Sequence, residues 1–295
     1  MILAAGRAAL LTVLLAQAAP ALACRVERRA ELPAAFPRGL VELPATVDGE
    51  SARFLLDTGS ENMLVTPGAA ARLGLAPDPA RRTLLLGTGG DAQAPNAWLA
   101  GVRLGGVALA RRSVAVAPLP GPVDADGLLG APLAAAYDLD LDLVAGKVGL
   151  VSVEGCAAGA PLLPPPFTVV RLTVTADGTA TVPVTVNGVT LTALLDTGSA
   201  WTALTPAAAR RAHVGPLGPG GTAPGVDGAP VGFQGARAAT LAVGWDVQRG
   251  VEVAVAPLRI GGADMLLGAD WLRQRHAWVS YATGQLVIAL AYAWR

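Results

Sequence analysis

Phe54-Leu55-Leu56-Asp57-Thr58-Gly59-Ser60 returns later in the chain as Ala193-Leu194-Leu195-Asp196-Thr197-Gly198-Ser199. The second aspartate follows the first by 139 residues (196 − 57), close to half of the 295-residue chain. Around the two motifs, residues 43–67 (LPATVDGESARFLLDTGSENMLVTP) lie over residues 182–206 (VPVTVNGVTLTALLDTGSAWTALTP) without a gap. A match of that length makes the tetrapeptide part of an internal duplication. Each half then delivers one carboxylate at an equivalent position, which is what two-aspartate hydrolysis requires.

The aligned segments share a local grammar. A short strand pattern (residues 45–47 and 184–186) leads to Asp48-Gly49 or Asn187-Gly188, dipeptides that tolerate positive φ at both hairpin-turn positions. The return strands, residues 53–56 and 192–195, run straight into the aspartates. Thr66-Pro67 and Thr205-Pro206 then read as helix starts, threonine capping and proline in first position. Helical turns are expected over residues 68–73 and 207–212.

Asp126-Gly127-Leu128-Leu129-Gly130 and Asp264-Met265-Leu266-Leu267-Gly268 recur at nearly equal distances beyond the aspartates. Short helical stretches (residues 132–137 and 269–274) and closing hairpins (residues 139–151 and 277–289) follow each landmark. Further strands are expected over residues 102–109, 113–117 and 252–256. Short strands with Gly-rich turns make the fold class all-β. The expected division is residues 1–23 as an export signal, 24–159 and 167–295 as two homologous lobes, and 160–166 as a proline-rich linker. Residues 25–39 read either as a short pro-segment or as an N-terminal strand.

Composition narrows the function. The formal charge is +0 and no basic stripe appears, which argues against nucleic acid as a partner. Arg7, the apolar residues 8–15 and Ala21-Leu22-Ala23 form a signal-peptide pattern, and no later stretch is long and apolar enough to span a membrane. Arg25, Arg28 and Arg29 weigh mildly against export. The expected location is periplasmic or secreted. Cys24 and Cys156, the two cysteines, suit a disulfide in an exported chain. The rival reading takes Ala21-Leu22-Ala23-Cys24 as a lipoprotein box, with Cys24 lipid-anchored to the membrane and Cys156 free. His213 and His276 are not at ligand spacing, so no metal is expected. A serine triad lacks its G-x-S-x-G elbow.

The two apolar-apolar-Asp-Thr-Gly-Ser runs, with Leu128-Leu129-Gly130 and Leu266-Leu267-Gly268, resemble the retropepsin-like aspartic peptidases in their duplicated single-chain bacterial form. The resemblance spans residues 40–289. It implies two small β-barrel lobes with a substrate cleft between them, a polypeptide substrate, no cofactor and a complete site in a monomer. It implies an Asp57/Asp196 catalytic dyad sharing one proton, as aspartic proteases do generally, with one partner the base and the other the acid. Thr58 and Thr197 would hydrogen-bond across the lobe interface. Gly59 and Gly198 are expected for a tight turn, and Ser60 and Ser199 to hydrogen-bond the outer carboxylate oxygens.

The halves are not equivalent beyond the serines. Glu61-Asn62 in one faces Ala200-Trp201 in the other, making Glu61, Asn62 and Trp201 candidate substrate contacts. A core role for Trp201 is the plainer alternative. Gly87, Gly89 and Gly90 mark a candidate flap over the cleft. Residues 218–228 are the weaker candidate, because no strand signal flanks them. Neither segment carries the tyrosine of pepsin-like flaps. Asp126 and Asp264 read as turn-forming or capping residues. An alternative function is a peptide-binding module with little or no turnover on the same scaffold.

Overall fold

In the computed structural model, residues 24–87, 90–158, 160 and 162–290 are described. The export signal expected over residues 1–23, and Gly89 of the first glycine loop, lie outside the described residues.

The duplicated segments fold alike. Strand Glu42–Val47 pairs antiparallel with Glu50–Leu56, and Ala180–Val186 with Val189–Asp196. Both turns have positive φ at both central residues, 49° and 89° at Asp48-Gly49 and 49° and 84° at Asn187-Gly188. Such turns match the twist of the strands they join. Alternation sets which face is inside: Ala180, Val182, Val184 and Val186 are all buried, while the residues between them are not. Each fully buried valine or leucine contributes about 1.5–3 kcal/mol. Phe54 and Leu56 do the same work beside Asp57.

The landmark strands hold the aspartate strands in place. Gly127–Leu129 lies parallel to Glu50–Leu56 and antiparallel to Leu64–Val65. Met265–Gly268 repeats both pairings with Val189–Asp196 and Ala203–Leu204. Asp126 and Asp264 tie this unit to a helix. Asp126 accepts from the backbone N–H of Arg53 (2.8 Å) and pairs with Arg72 (2.6 Å) at the end of helix Pro67–Arg72. Asp264 accepts from Thr192 N–H (3.1 Å) and from both terminal nitrogens of Arg211 (2.7 and 3.0 Å) on helix Pro206–Arg211. Thr66 and Thr205 cap these helices, each accepting from an alanine N–H at 3.2 Å.

In the second half the sheet closes on itself, because Ala180–Val186 also pairs with the long strand Pro230–Val243. In the first half the equivalent strand is interrupted into Asp91–Leu99 and Val102–Leu104, and the latter pairs with Glu42–Val47. The two lobes are thus barrel-like and homologous.

The closing hairpins do not stay in their own lobes. They merge into one six-stranded sheet, ordered Arg25–Pro33, Lys147–Glu154, Asp138–Asp142, His276–Ser280, Gln285–Ala289, Phe167–Arg171. The lobes meet where Asp138–Asp142 pairs with His276–Ser280. Residues 25–33, left open from sequence, supply an edge strand. Leu163 of the proline-rich segment packs with Val151, Trp278 and Val287 rather than spanning open solvent.

An ion cluster crosses that seam. His276 Nε2 lies 2.6 Å from Asp140 Oδ1, and Arg28 hydrogen-bonds the other oxygen of Asp140. Burial pushes the Asp140 carboxyl up, but the bonds from His276 and Arg28 reverse this and hold it below its ordinary value. Burial pushes His276 down, and Asp140 more than restores it, so its pKa is raised. The His276 contribution is therefore complete below its unfolded pKa of about 6.5 and is lost as pH rises through the folded value. The Asp140 contribution is complete above about 3.9 and is lost as pH falls through its depressed value. His276→Gln should cost about 1–2 kcal/mol near pH 5–6, a gap that narrows as pH rises through the raised folded value of His276. Melting curves of both proteins across pH 4–9 check this; a pH-independent gap would contradict it.

Cys24 and Cys156 are joined in a disulfide across 132 residues of sequence. Arg25 stands opposite Glu154 in the edge ladder, which brings the two sulfurs together just past its end. The Cys24 thiol is then not free to carry a lipid, contrary to the lipid-anchored alternative. Replacing both cysteines with serine should lower unfolding free energy by about 2–4 kcal/mol in denaturant titrations, since the bridge closes a long loop. Among the described residues, no helix is long and apolar enough to cross a membrane.

Candidate active site

The two Asp-Thr-Gly-Ser turns meet at the lobe interface. Thr58 N–H donates to Thr197 Oγ1 (3.0 Å), and Thr197 N–H donates to Thr58 Oγ1 (3.1 Å). Each hydroxyl then donates onward, Thr58 to the carbonyl of Leu195 (2.7 Å) and Thr197 to that of Leu56 (2.6 Å). Both threonines are buried, and the N–H and the hydroxyl of each have partners. Such a reciprocal lock fixes the two turns with little freedom.

The lock sets Asp57 beside Asp196: each carboxyl packs against the glycine of the opposite turn, close enough for each to influence the other's protonation. Asp196 is buried, while Asp57 keeps partial access to the cleft. Asp57 Oδ1 accepts from Gly59 N–H (3.1 Å). Asp196 Oδ1 accepts from Gly198 N–H (2.9 Å) and Ser199 N–H (3.1 Å). Burial, then the neighbouring Asp196 charge, drives the Asp57 carboxyl well above its ordinary value. Burial also pushes Asp196 up, to about 6, against the pull of its two N–H donors and Asp57. The pair titrates as a unit, and Asp196 is the better served for negative charge. One carboxylate beside one carboxylic acid can take a proton and give one in the same step.

The glycines of the motif serve this close approach rather than a special backbone angle. A Cβ on Gly59 would sit 2.6 Å from Asp196 Cγ, and one on Gly198 only 2.3 Å from Asp57 Cγ. The landmark glycines act one layer out. A Cβ on Gly130 would meet the Asn62 carbonyl oxygen at 2.2 Å, and one on Gly268 the Trp201 backbone at 2.6 Å.

The serines correct the expectation from sequence. Ser60 Oγ donates to the Asn62 carbonyl (3.0 Å) and Ser199 Oγ to that of Trp201 (2.8 Å), not to the carboxylates. Backbone N–H groups already fill the accepting oxygen, so the hydroxyls shape the following bend instead. Their carbonyls accept from Ala131 and Ala269 N–H, both at 2.8 Å.

Both glycine-rich segments are hairpin tips. Pro77–Leu86 pairs with Asp91–Leu99, and Gly87 N–H bonds the Gly90 carbonyl at 2.8 Å. Residues 218–228 also lead through a hairpin, Gly220–Pro224 paired with Pro230–Val243, contrary to the expectation of no flanking strand. All five residues of Gly220–Pro224 are exposed, so no alternating pattern marks them in the sequence. The tips touch across the interface: a Cβ on Gly87 would lie 2.6 Å from Val226 Cγ1, and one on Gly90 2.2 Å from Asp227 Oδ2. Arg259 pairs with Asp91 at 3.6 Å to reinforce the contact. An apolar cluster runs from Leu55, beside Asp57, to Leu85 and Val226 in the hairpins.

Of the candidate contacts, Trp201 is 63% exposed and is no core residue. Glu61 lies near Asp177 of the other half; burial and that charge raise its pKa. Asn62 lines a cavity with Arg81 and Arg112, which sequence reasoning did not single out.

Comparisons with known proteins bear on the family and the fold. A family model described as aspartyl protease matches residues 43–133, and a second, described as gag-polyprotein putative aspartyl protease, matches residues 182–274. The crystal structure of the aspartic proteinase from Irpex lacteus superposes with a TM-score of 0.54 at 12% identity, covering 90% of this chain and 97% of that one. Basic 7S globulin from soybean aligns at a TM-score of 0.47 and 13% identity, covering 88% and 94%. A search of curated proteins finds no match. At such identity the Irpex likeness speaks for the fold, while the paired family models speak for the lineage. Two tandem aspartyl protease domains, folded as barrel-like lobes in one chain, place this protein among the aspartic peptidases, in the retropepsin-like duplicated form.

Proposed function

We propose that Asp57 and Asp196 form the catalytic dyad of an exported endopeptidase. The observation that carries this is the reciprocal Thr58/Thr197 lock, which brings one carboxyl from each lobe against the opposite motif's glycine. Asp196, as carboxylate, takes a proton from water as the water oxygen bonds to the scissile carbonyl carbon. Asp57, as acid, gives its proton to the carbonyl oxygen. Collapse of the tetrahedral species breaks the C–N bond; the Asp196 proton goes to the leaving nitrogen, and the hydroxyl proton returns to Asp57. Water and the two carboxyls balance the reaction, and no cofactor enters it.

The substrate is a polypeptide lying in the cleft, with the hairpin tips at Val226 and Gly87 as its roof. One chain supplies both aspartates, so a monomer suffices. The Cys24–Cys156 bridge and the N-terminal signal pattern support export to an oxidising compartment. Incubation of the mature chain with an unstructured protein across pH 3–7 should give fragments, and a pepstatin-type inhibitor should suppress them. Peptide binding without any fragment at any pH would overturn the proposal.

A further inference from the structure

Beside the Asp57 turn lies a cavity of about 350 Å³ whose rim includes Asn62 and Pro132. Asn62 supports the Asp57 turn, its carbonyl accepting from the Ser60 hydroxyl, and Pro132 follows Ala131, whose N–H donates to the Ser60 carbonyl. The opposite wall comes from the first hairpin, through Arg81 and Thr83, and from Arg112 and Ser113 on strand Arg112–Val116. That hairpin also carries the tip at Gly87. The cavity therefore sits between the segment that follows the Asp57 turn and the base of the first hairpin.

Its lining is one-sided. Two arginines face it and no acid does. Arg112 Nε is buried without a hydrogen-bond partner, an arrangement that costs free energy unless something else supplies the acceptor. Among the described residues neither Arg81 nor Arg112 forms an ion pair, whereas Arg28, Arg53, Arg72, Arg211 and Arg275 all do. Ser113 Oγ accepts from Asn96 Nδ2 (3.0 Å), which leaves its own proton for an acceptor. The ladder slips between Asp78 and Arg82, and a slip of this kind re-aims the side chains within it, Arg81 among them.

We infer that this cavity is a substrate subsite for a carboxylate of the bound peptide. The inference rests on the peptidase reading above and adds a specificity to it. Two guanidiniums, which can only donate, and the remaining Ser113 hydroxyl proton fit the planar, acceptor-only carboxylate. That carboxylate belongs either to an Asp or Glu side chain near the scissile bond or to the C-terminus of a short substrate. Arg112 is the specificity residue and Arg81 its outer partner.

The test uses capped peptides that differ only by Glu or Gln, scanned through the positions flanking the scissile bond at about pH 5, where Glu is largely ionised. A second series compares a free C-terminal acid with its amide. Wild type should prefer the carboxylate about tenfold in kcat/KM at one position or at the terminus, mainly through KM. The preference within each enzyme should fall toward one in Arg112→Gln and shrink in Arg81→Gln, an exposed substitution that keeps the test open if Arg112→Gln folds poorly. Which series responds assigns the source. Binding of the same peptides to Asp57→Asn, read by fluorescence anisotropy, should show the same preference without turnover. Retained preference without cleavage by wild type would sink the peptidase reading alone. Equal handling of Glu and Gln, and of acid and amide, would overturn the subsite, as would a preference untouched by both arginine substitutions.

Discussion

Asp57→Asn and Asp196→Asn should each lower kcat/KM by about 10⁴-fold while raising the melting temperature at neutral pH. The activity loss follows from the division of labour, because removal of either acid–base partner leaves the other without a proton acceptor or donor. The stability gain follows from the same burial. Both carboxyls have folded pKa values raised above the unfolded value, Asp196 to about 6. Groups of that kind stabilise the fold while protonated and lose that contribution as pH rises through the folded pKa. An asparagine has no charge to bury, so the gain should be on the order of 1–3 kcal/mol at pH 7–8 and small at pH 4. Kinetics and melting curves on the same preparations decide it. A variant keeping a tenth of wild-type activity, or one destabilised at pH 7–8, would contradict the assignment.

Gly198→Ala should be the next most damaging small change, costing about 10²-fold in kcat/KM. Its Cβ would lie 2.3 Å from Asp57 Cγ, so either the turn or the carboxyl must move. Asp57 cannot yield freely, since Gly59 N–H holds it and the Asp196 turn packs against it. A displacement near 1 Å at the reacting groups is enough for a loss of about 10²-fold. Overpacking should also remove about 1–3 kcal/mol of stability. Gly59→Ala should act in the same direction, with 2.6 Å to Asp196 Cγ. Gly68→Ala is the control: nothing lies within 4 Å of its added Cβ, it sits in helix Pro67–Arg72, and alanine favours a helix. Rates and melting temperatures for the three variants separate the effects. A Gly198→Ala enzyme within threefold of wild type would refute the close-approach account.

The features legible in sequence were those written in neighbouring residues. Asp48-Gly49 and Asn187-Gly188 need only their own backbone preferences, and Thr66-Pro67 and Thr205-Pro206 carry cap and first helical position side by side. Gapless duplication did the rest by aligning the two aspartates. What depended on distant partners was not legible. Asp138–Asp142 and His276–Ser280 each read as half of a local hairpin, and nothing near them says that they pair with each other. Gly220–Pro224 is exposed throughout and lacks the alternation that identifies a strand. Ser60 and Ser199 looked like carboxylate partners by proximity in sequence, yet backbone N–H groups had already taken that place. Arg81 and Arg112 were two arginines among many in a chain with a single lysine, and only the fold sets them around one cavity.

A crystal structure with a peptide analogue bearing a hydroxyl in place of the scissile carbonyl tests the dyad most directly. The hydroxyl oxygen should lie within about 3 Å of a carboxyl oxygen of Asp57 and of one of Asp196 together, beneath the two hairpin tips. A hydroxyl that contacts one aspartate alone, or binds away from both, would contradict a single dyad assembled from the two halves.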